Sequence, residues 1–274
     1  MAPGYTGSIT SGAIGTDSLN TGLNNIASGN NSITLGTGLE SSGNFSFSTG
    51  INNTSSAQNT FSAGNGNTAS GNSAASVGFN NTSSGEYSFS AGQNNEASGN
   101  HSISVGEDNI SSGDFSVSAG FNNQATGDYS FVAGRSSVAS GNTSFAFGAG
   151  ATASGSASIA MGTNSPIASA SNSVAIGNGV VAPSFSEFSV GAYNTIYTPT
   201  SVSISSPTDR VFSVGVGTNT SNRSDAFTVY KNGGVTLRST APTDITNPEA
   251  GMLRFNSATN THQGYNGATW NDLY

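Results

Sequence analysis

Residues 84–97 read SGEYSFSAGQNNEA, and this fourteen-residue phrase decides the fold, because the chain repeats it almost without pause from about Gly15 to Gly191. One glycine closes each unit, at Gly22, Gly36, Gly50, Gly64, Gly78, Gly92, Gly106, Gly120, Gly134, Gly148 and Gly162. A second series runs half a unit away, through Gly29, Gly43, Gly71, Gly85, Gly99, Gly113, Gly127, Gly141 and Gly155, with Ala57 filling the one gap. A fixed period of this length marks a repeated supersecondary unit that stacks on its neighbours.

Within each unit the residue three before the closing glycine is apolar in most copies, as at Ile33, Phe47, Phe61, Phe89, Ile103, Val117, Phe131, Phe145 and Ile159. The residue just before that glycine is apolar or small, as at Leu35, Val77, Ala91, Phe147 and Met161, and a serine often separates the two. This alternation predicts a short strand with one face turned inward. The second half-unit offers small residues at Ala69, Ser83, Ala97, Ser111 and Ala125, which predict a second, closely approached strand. Asn pairs such as Asn52 with Asn53 and Asn94 with Asn95, together with the glycines, supply turns, since these residues tolerate positive φ. One coil per unit, stacked at about 4.8 Å, gives a parallel β-roll roughly 60 Å long.

Each coil offers only about two substantial apolar residues, set against an ordering cost of roughly 1 to 2 kcal/mol per residue. Several rods packed about an axis would let the Phe, Ile and Val columns form a shared core. The period leaves open how many rods, and which columns face the axis rather than the inside of each roll.

Two stretches, NSVAIGNG from Asn172 and GNTSFAFGAGATASGSASIAMG from Gly141, resemble the head repeats of trimeric autotransporter adhesins, the YadA-like left-handed parallel β-roll. The resemblance covers roughly two thirds of the chain and implies a homotrimer whose rigid head binds matrix proteins or other surfaces. The early copies depart from the family pattern in carrying Ser-x-Ser more often than Ser-x-Ala, and the chain shows no long coiled-coil stalk or membrane anchor. Head repeats of this kind also occur in bacteriophage tail fibres.

Composition narrows the functions. The chain has 274 residues, 37 of them glycine, with 34% hydrophobic and 7% charged residues and a formal charge of −8. Such a composition without periodicity would indicate disorder, but the apolar positions recur in register. Six Lys and Arg against 14 Asp and Glu leave no basic surface for a phosphate backbone, so nucleic acid is not an expected partner. The absence of cysteine excludes disulfides and thiolate metal sites. The opening MAPGYTGSIT has neither the basic start nor the apolar core of a secretory leader, and no apolar run reaches membrane-spanning length.

In chain order, residues 1–14 read as a lead-in or cap and 15–191 as the β-roll. One residue is inserted between Gly162 and Gly177, predicting a bulge near Pro166. After Gly191 the register is expected to break. Residues 192–240 read as a β-rich neck, with Pro199 and Pro207 interrupting any ladder and a tight turn at Asn232, Gly233 and Gly234. Residues 241–274 resemble the small β module found near the ends of many phage tail fibres, with a hairpin connection at Asn256 to Asn260.

Candidate chemistry is sparse. His101 with Glu96, Glu107 and Asp108 suggests a metal site only loosely, since His262 is remote and no His-x-x-His spacing exists. Glu86, Asp114 and Asp128 share one phase of the repeat, but the calcium-roll signature does not recur. A paired-carboxylate glycosidase needs a cleft, and Asp244 and Glu249 are poorly placed for one. Receptor-binding candidates are Tyr265 and Trp270, flat amphipathic surfaces suited to sugars, with Asn266 and Asn271 as hydrogen-bonding neighbours. The same two aromatics would also serve as the core of a small module.

The sequence therefore predicts an all-β, non-enzymatic fibre: a trimeric parallel β-roll of 14-residue repeats, a β-rich neck and a small distal β module. It calls for no cofactor, metal or membrane insertion. The expected partners are its own copies, a host-surface glycan or protein and other tail or baseplate proteins. The expected setting is a virion tail fibre, with a bacterial adhesin head or a purely structural spacer as the alternatives.

Overall fold

The computed structural model of the protein describes residues 14–237, 239–240, 245 and 247–273. The lead-in expected at 1–14 therefore lies, but for Ile14, outside the described residues, as does Asp244. From Leu19 to Ala192 each repeat is one coil of a β-solenoid. A five-residue strand such as Phe89–Gln93 leads through a bend into a two-residue strand such as Glu96–Ala97. Long strands pair in parallel one unit apart, Phe89 opposite Ile103 and Gly92 opposite Gly106, and short strands pair likewise, Glu96 opposite Ile110. Among the described residues the two walls belong to a sixteen-stranded sheet, thirteen strands of which come from the coils and three from the chain beyond Ala192, and an eleven-stranded sheet.

The corners between the walls adopt left-handed backbone, with φ of 56° at Tyr87 and 53° at Asn94. Stacking holds them there: the Tyr87 N–H donates to the Asn72 carbonyl at 2.8 Å and the Asn94 N–H to the Phe79 carbonyl at 2.9 Å. Side-chain oxygens of one column add a second zip, as where Asp128 Oδ1 accepts the Asp114 N–H at 3.0 Å.

The strands alternate as the sequence predicts, and the face turned into the coil, which the period left open, is the one of small side chains. Ser90, Ser104 and Ser118 from the long wall and Ala97, Ser111 and Ala125 from the short wall are fully buried. The Phe column lies outside: Phe89 is 38% exposed, Phe61 36%, and Phe47, Phe131 and Phe145 are half-buried. The reason is width. Ser83 Oγ and Ser90 Oγ, from opposite walls, are 2.6 Å apart, so the interior is one small side chain from each wall thick and admits no aromatic ring.

A column of asparagines completes that interior. Asn95, 1% exposed, donates from Nδ2 to Asn81 Oδ1 at 2.9 Å and to the carbonyls of Ala91 at 3.0 Å and Gly106 at 2.7 Å. Its Oδ1 accepts the Asn109 N–H at 3.1 Å, and the pattern repeats from Asn53 to Asn123 at most coils. Each buried amide thereby satisfies backbone groups of its own and the adjoining coils. Ser137 ends the run, and the later coils turn apolar through Val132, Ala146, Ala151, Ala160 and Val180.

The inserted residue near Pro166 is absorbed in a corner, where Asn164 and Ser165 both take left-handed backbone with φ of 54° and 60°. After Ala192 the sheet does not stop. The excursion returns at Arg210–Val216, in parallel register with Phe188–Ala192, so that Phe212 faces Phe188 and Gly215 faces Gly191. Antiparallel strands Asp225–Tyr230 and Val235–Leu237 follow, joined through Gly233 with φ of 84°. Leu253–Asn256, Thr261–Tyr265 and Trp270–Asp272 form an antiparallel meander.

Candidate binding surfaces

Because the interior takes Ser, Ala, Asn and a few aliphatic side chains such as Leu39 and Val132 but no aromatic ring, nearly every large side chain of the roll is displayed. The outer face of the long wall carries two adjacent columns. Ile103, Val117, Phe131, Phe145 and Ile159 stand in one, and Val105, Phe147, Met161 and Ile176 in the next, all half-buried or exposed. A continuous apolar face of this length is unusual on a monomer's surface and marks an interaction site.

At the corner preceding the long strands the rings of Tyr87, His101, Phe115 and Tyr129 stack coil upon coil. Their centroids are 4.9, 4.6 and 5.1 Å apart, with the last pair tilted by 1°. Nothing in the sequence reading anticipated this ladder, although its signal, an aromatic or His just after Glu86, Asn100, Asp114 and Asp128, is periodic. The acidic phase residues are committed to the corner zip: Asp114 Oδ1 accepts the Asn100 N–H at 2.8 Å and Asp108 accepts from Asn94 Nδ2 at 3.0 Å. His101 is held between two rings, and no group of three or more His, Cys, Asp or Glu is placed to hold a metal among the described residues.

Beyond the last regular coil, Arg210 replaces small-residue packing with charge. Its Nε lies 3.2 Å from Glu187, its Nη1 3.0 Å from Asp225, and its Nη2 donates to the Thr195 carbonyl at 2.8 Å, while the guanidinium sits 4.1 Å above the Tyr197 ring. Burial pushes the Glu187 carboxyl up from its usual range, with the Arg210 charge partly opposing. An open cleft of about 560 Å³ beside this node is lined by Thr195, Tyr197, Arg223, Asp225 and Tyr230. The carboxylates there are already paired with Arg210, which suits a lock between the roll and the following strands.

Of the four receptor-binding candidates, the structure brings Tyr265 and Trp270 together as a cross-strand pair with centroids 5.2 Å apart. One face of Trp270 is covered by Arg254, 4.0 Å from its ring, and Arg254 is itself buried and bonded to Gln263 at 2.7 Å. Asn266 spends its side-chain oxygen on the Ala268 and Thr269 amides, at 2.9 and 2.8 Å, to close the turn. Asn271 is exposed and reaches the Thr269 carbonyl at 3.3 Å. Within the hairpin connection Asn256 Oδ1 accepts the Ala258 N–H at 2.9 Å. No helix among the described residues is long and apolar enough to cross a membrane.

Comparison with known proteins bears on the roll. Residues 83–109, 97–123, 111–137 and 139–165 match the YadA head domain repeat, whose family unit spans two copies. No curated protein sequence matches the chain. The first three matches fall on coils in which the wall register, the buried asparagine column and the aromatic ladder are all present, whereas 139–165 shares the wall register but lies beyond Asn123 and Tyr129. Residues 83–137 and 139–165 thus carry repeats similar to the YadA head domain, wound here into an all-β solenoid of 14-residue coils.

Proposed function

We propose that the chain is the head of a trimeric adhesin displayed on a bacterial surface, where it attaches to a host glycan or matrix protein. One observation carries the reading: the coil interior is filled by Ser, Ala and Asn, while the Phe, Ile and Val columns stand on the outer face of the long wall. Three rolls packed with those faces toward a common axis bury the columns in a shared core. Each half-exposed Phe or Ile so covered contributes on the order of 1 kcal/mol. The repeat match favours this setting over the virion tail fibre expected from the sequence. A rigid trimer presents three identical surfaces at fixed spacing and converts weak contacts into avidity. Tyr265 and Trp270 remain the proposed contacts of the terminal section, in a narrower role than the sequence suggested, since Arg254 occupies one face of the indole.

The test is solution mass by light scattering, with binding of the purified chain to host cells and matrix proteins, for the full chain, for a truncation before residue 241 and for Phe131→Asp. The expected result is a trimer that binds, and a folded, monomeric, non-binding Phe131→Asp variant, because residue 131 points out of the coil. A monomeric wild-type chain, or a Phe131→Asp trimer, sinks the assembly; a trimer that binds no surface sinks the adhesin.

A further inference from the structure

Every long strand ends at two corners that differ in sequence from coil to coil. The leading corner carries residues such as Asp128 and Tyr129, the trailing corner residues such as Arg135. Within one chain the two are separated by a five-residue strand, about 16 Å of extended backbone, and cannot touch. A rotation about an axis parallel to the roll brings the leading corner of each copy beside the trailing corner of the next, with no displacement along the axis. Residues of the same coil must then meet, so the two corners of one coil should be chemically matched.

They are matched where the corners carry chemistry. In the coil of strand Ile103–Glu107 the leading corner holds His101 and the trailing corner Glu107 and Asp108. One coil on, Phe115 leads and Phe121 trails, 48% and 43% exposed. In the next, Asp128 and Tyr129 lead and Arg135 trails. Toward the start of the roll the exposed Phe45 has the exposed Ile51 as its counterpart, although Phe79 has only Ser73 at its level. Arg135 is the sole Lys or Arg before Arg210, it is exposed, and both ion pairs among the described residues belong to Arg210. Asp128 uses Oδ1 for the Asp114 N–H, which leaves Oδ2 for a partner outside the chain.

We propose that neighbouring copies are joined by a seam in which leading and trailing corners meet coil by coil, with His101 against Glu107 and Asp108, Phe115 against Phe121, and Asp128 with Tyr129 against Arg135. The inference rests on the cyclic assembly proposed above and adds what sets its register. Sliding one copy by a single coil, about 4.8 Å, places Glu107 against Asp114 in one direction and against Glu86 in the other, a like-charge contact either way. The stacked rings of Tyr87 to Tyr129 give the seam a stiff aromatic side.

The chain has no cysteine, so introduced pairs report alone. In Asp128→Cys/Arg135→Cys, treated with a short bismaleimide at the native assembly state, denaturing electrophoresis should show covalent trimer. In Asp128→Cys/Gln93→Cys, whose trailing residue lies three coils away, covalent trimer should be lost. Separately, Arg135→Asp and Asp128→Arg should each lower the dissociation temperature of the trimer, and their combination should recover most of the loss. A wild-type trimer by light scattering in which the same-level pair does not cross-link, or in which the two charge changes simply add, overturns the seam and leaves the trimer standing. A monomer by light scattering overturns both.

Discussion

Replacing Asn95 by alanine removes one rung of the buried amide column and so measures what holds coil to coil. The side chain donates to Asn81 Oδ1 and to the Ala91 and Gly106 carbonyls, and accepts the Asn109 backbone N–H. Truncation strips the buried Asn109 N–H of its acceptor and the part-buried Gly106 carbonyl of a donor. Each orphaned group costs roughly 1 to 3 kcal/mol, so Asn95→Ala should cost about 2 to 6 kcal/mol, the lower end if a water enters the gap. Serine should cost roughly half as much, because Ser137 already serves at this position: its Oγ lies 3.3 Å from the Gly148 carbonyl and accepts the Ala151 N–H at 3.1 Å. Aspartate, nearly isosteric, should be worst, since it sets an acceptor against Asn81 Oδ1 and two carbonyls. Hydrogen exchange at the amides of residues 81–109 is the right assay, because a solenoid opens locally. At 1.4 kcal/mol per decade, Asn95→Ala should speed exchange there by roughly 30-fold to 10⁴-fold. Wild-type protection in the alanine or aspartate variant, or a serine variant worse than alanine, would refute the argument.

Two further outcomes follow from backbone geometry and charge. Gly92 has φ of 116° and a Cβ there would overlap the Gly106 carbonyl oxygen, so Gly92→Ala should lose on the order of 3 kcal/mol; Gly233→Ala, at φ 84° with nothing nearby, should lose about 1 kcal/mol in thermal unfolding. Glu187 has its pKa raised by burial, so the native state holds its proton more tightly than the unfolded chain; stability from this group is present below the usual carboxylate pKa and is lost as pH rises through the raised value. Glu187→Gln should flatten that fall, read as the difference between wild-type and variant unfolding midpoints from acid to neutral pH, and an unchanged profile would remove Glu187 as its source.

The period, the two strands per coil, the corners and the bulge at Asn164 and Ser165 were all legible, because each is set by local backbone chemistry repeated at fixed spacing. Which face points inward was not. Alternation separates two faces, and the habit of turning the apolar one inward fails here because the limit is volume: Ser83 and Ser90 touch across the coil, and no Phe can stand between the walls. The usable signal was the constancy of small residues at the Ser90 and Ala97 positions. The re-entry of the sheet after Gly191 overturns the expected break in register; its signal, the tetrapeptide FSVG at Phe188 returning at Phe212, was present but masked by the Pro199 and Pro207 excursion between the two copies, which pair residue for residue. What the sequence could not reveal is the use of Arg254, whose burial over Trp270 depends on contacts among three strands.

A roll with a polar, small-residue interior and an apolar exterior inverts the usual economy of a domain, and the inversion constrains where attachment can occur. In the proposed assembly the long wall faces the axis and the corners meet at the seams, so along the roll, as distinct from the terminal section with Tyr265 and Trp270, the short wall is the surface left to the surroundings. Its inward positions are uniform, Ala97, Ser111, Ala125 and Ala139, whereas the outward positions beside them change at every coil, through Glu96, Ile110, Gln124, Val138 and Thr152. Packing fixes the first set and leaves the second free. A short-wall pattern of charge, amide and aliphatic groups, spaced at about 4.8 Å and presented three times, can vary without touching the fold. That separation gives one rigid scaffold many possible surfaces, and it places substitutions that alter attachment while sparing assembly at Glu96, Gln124 and their neighbours rather than in the Phe or Asn columns.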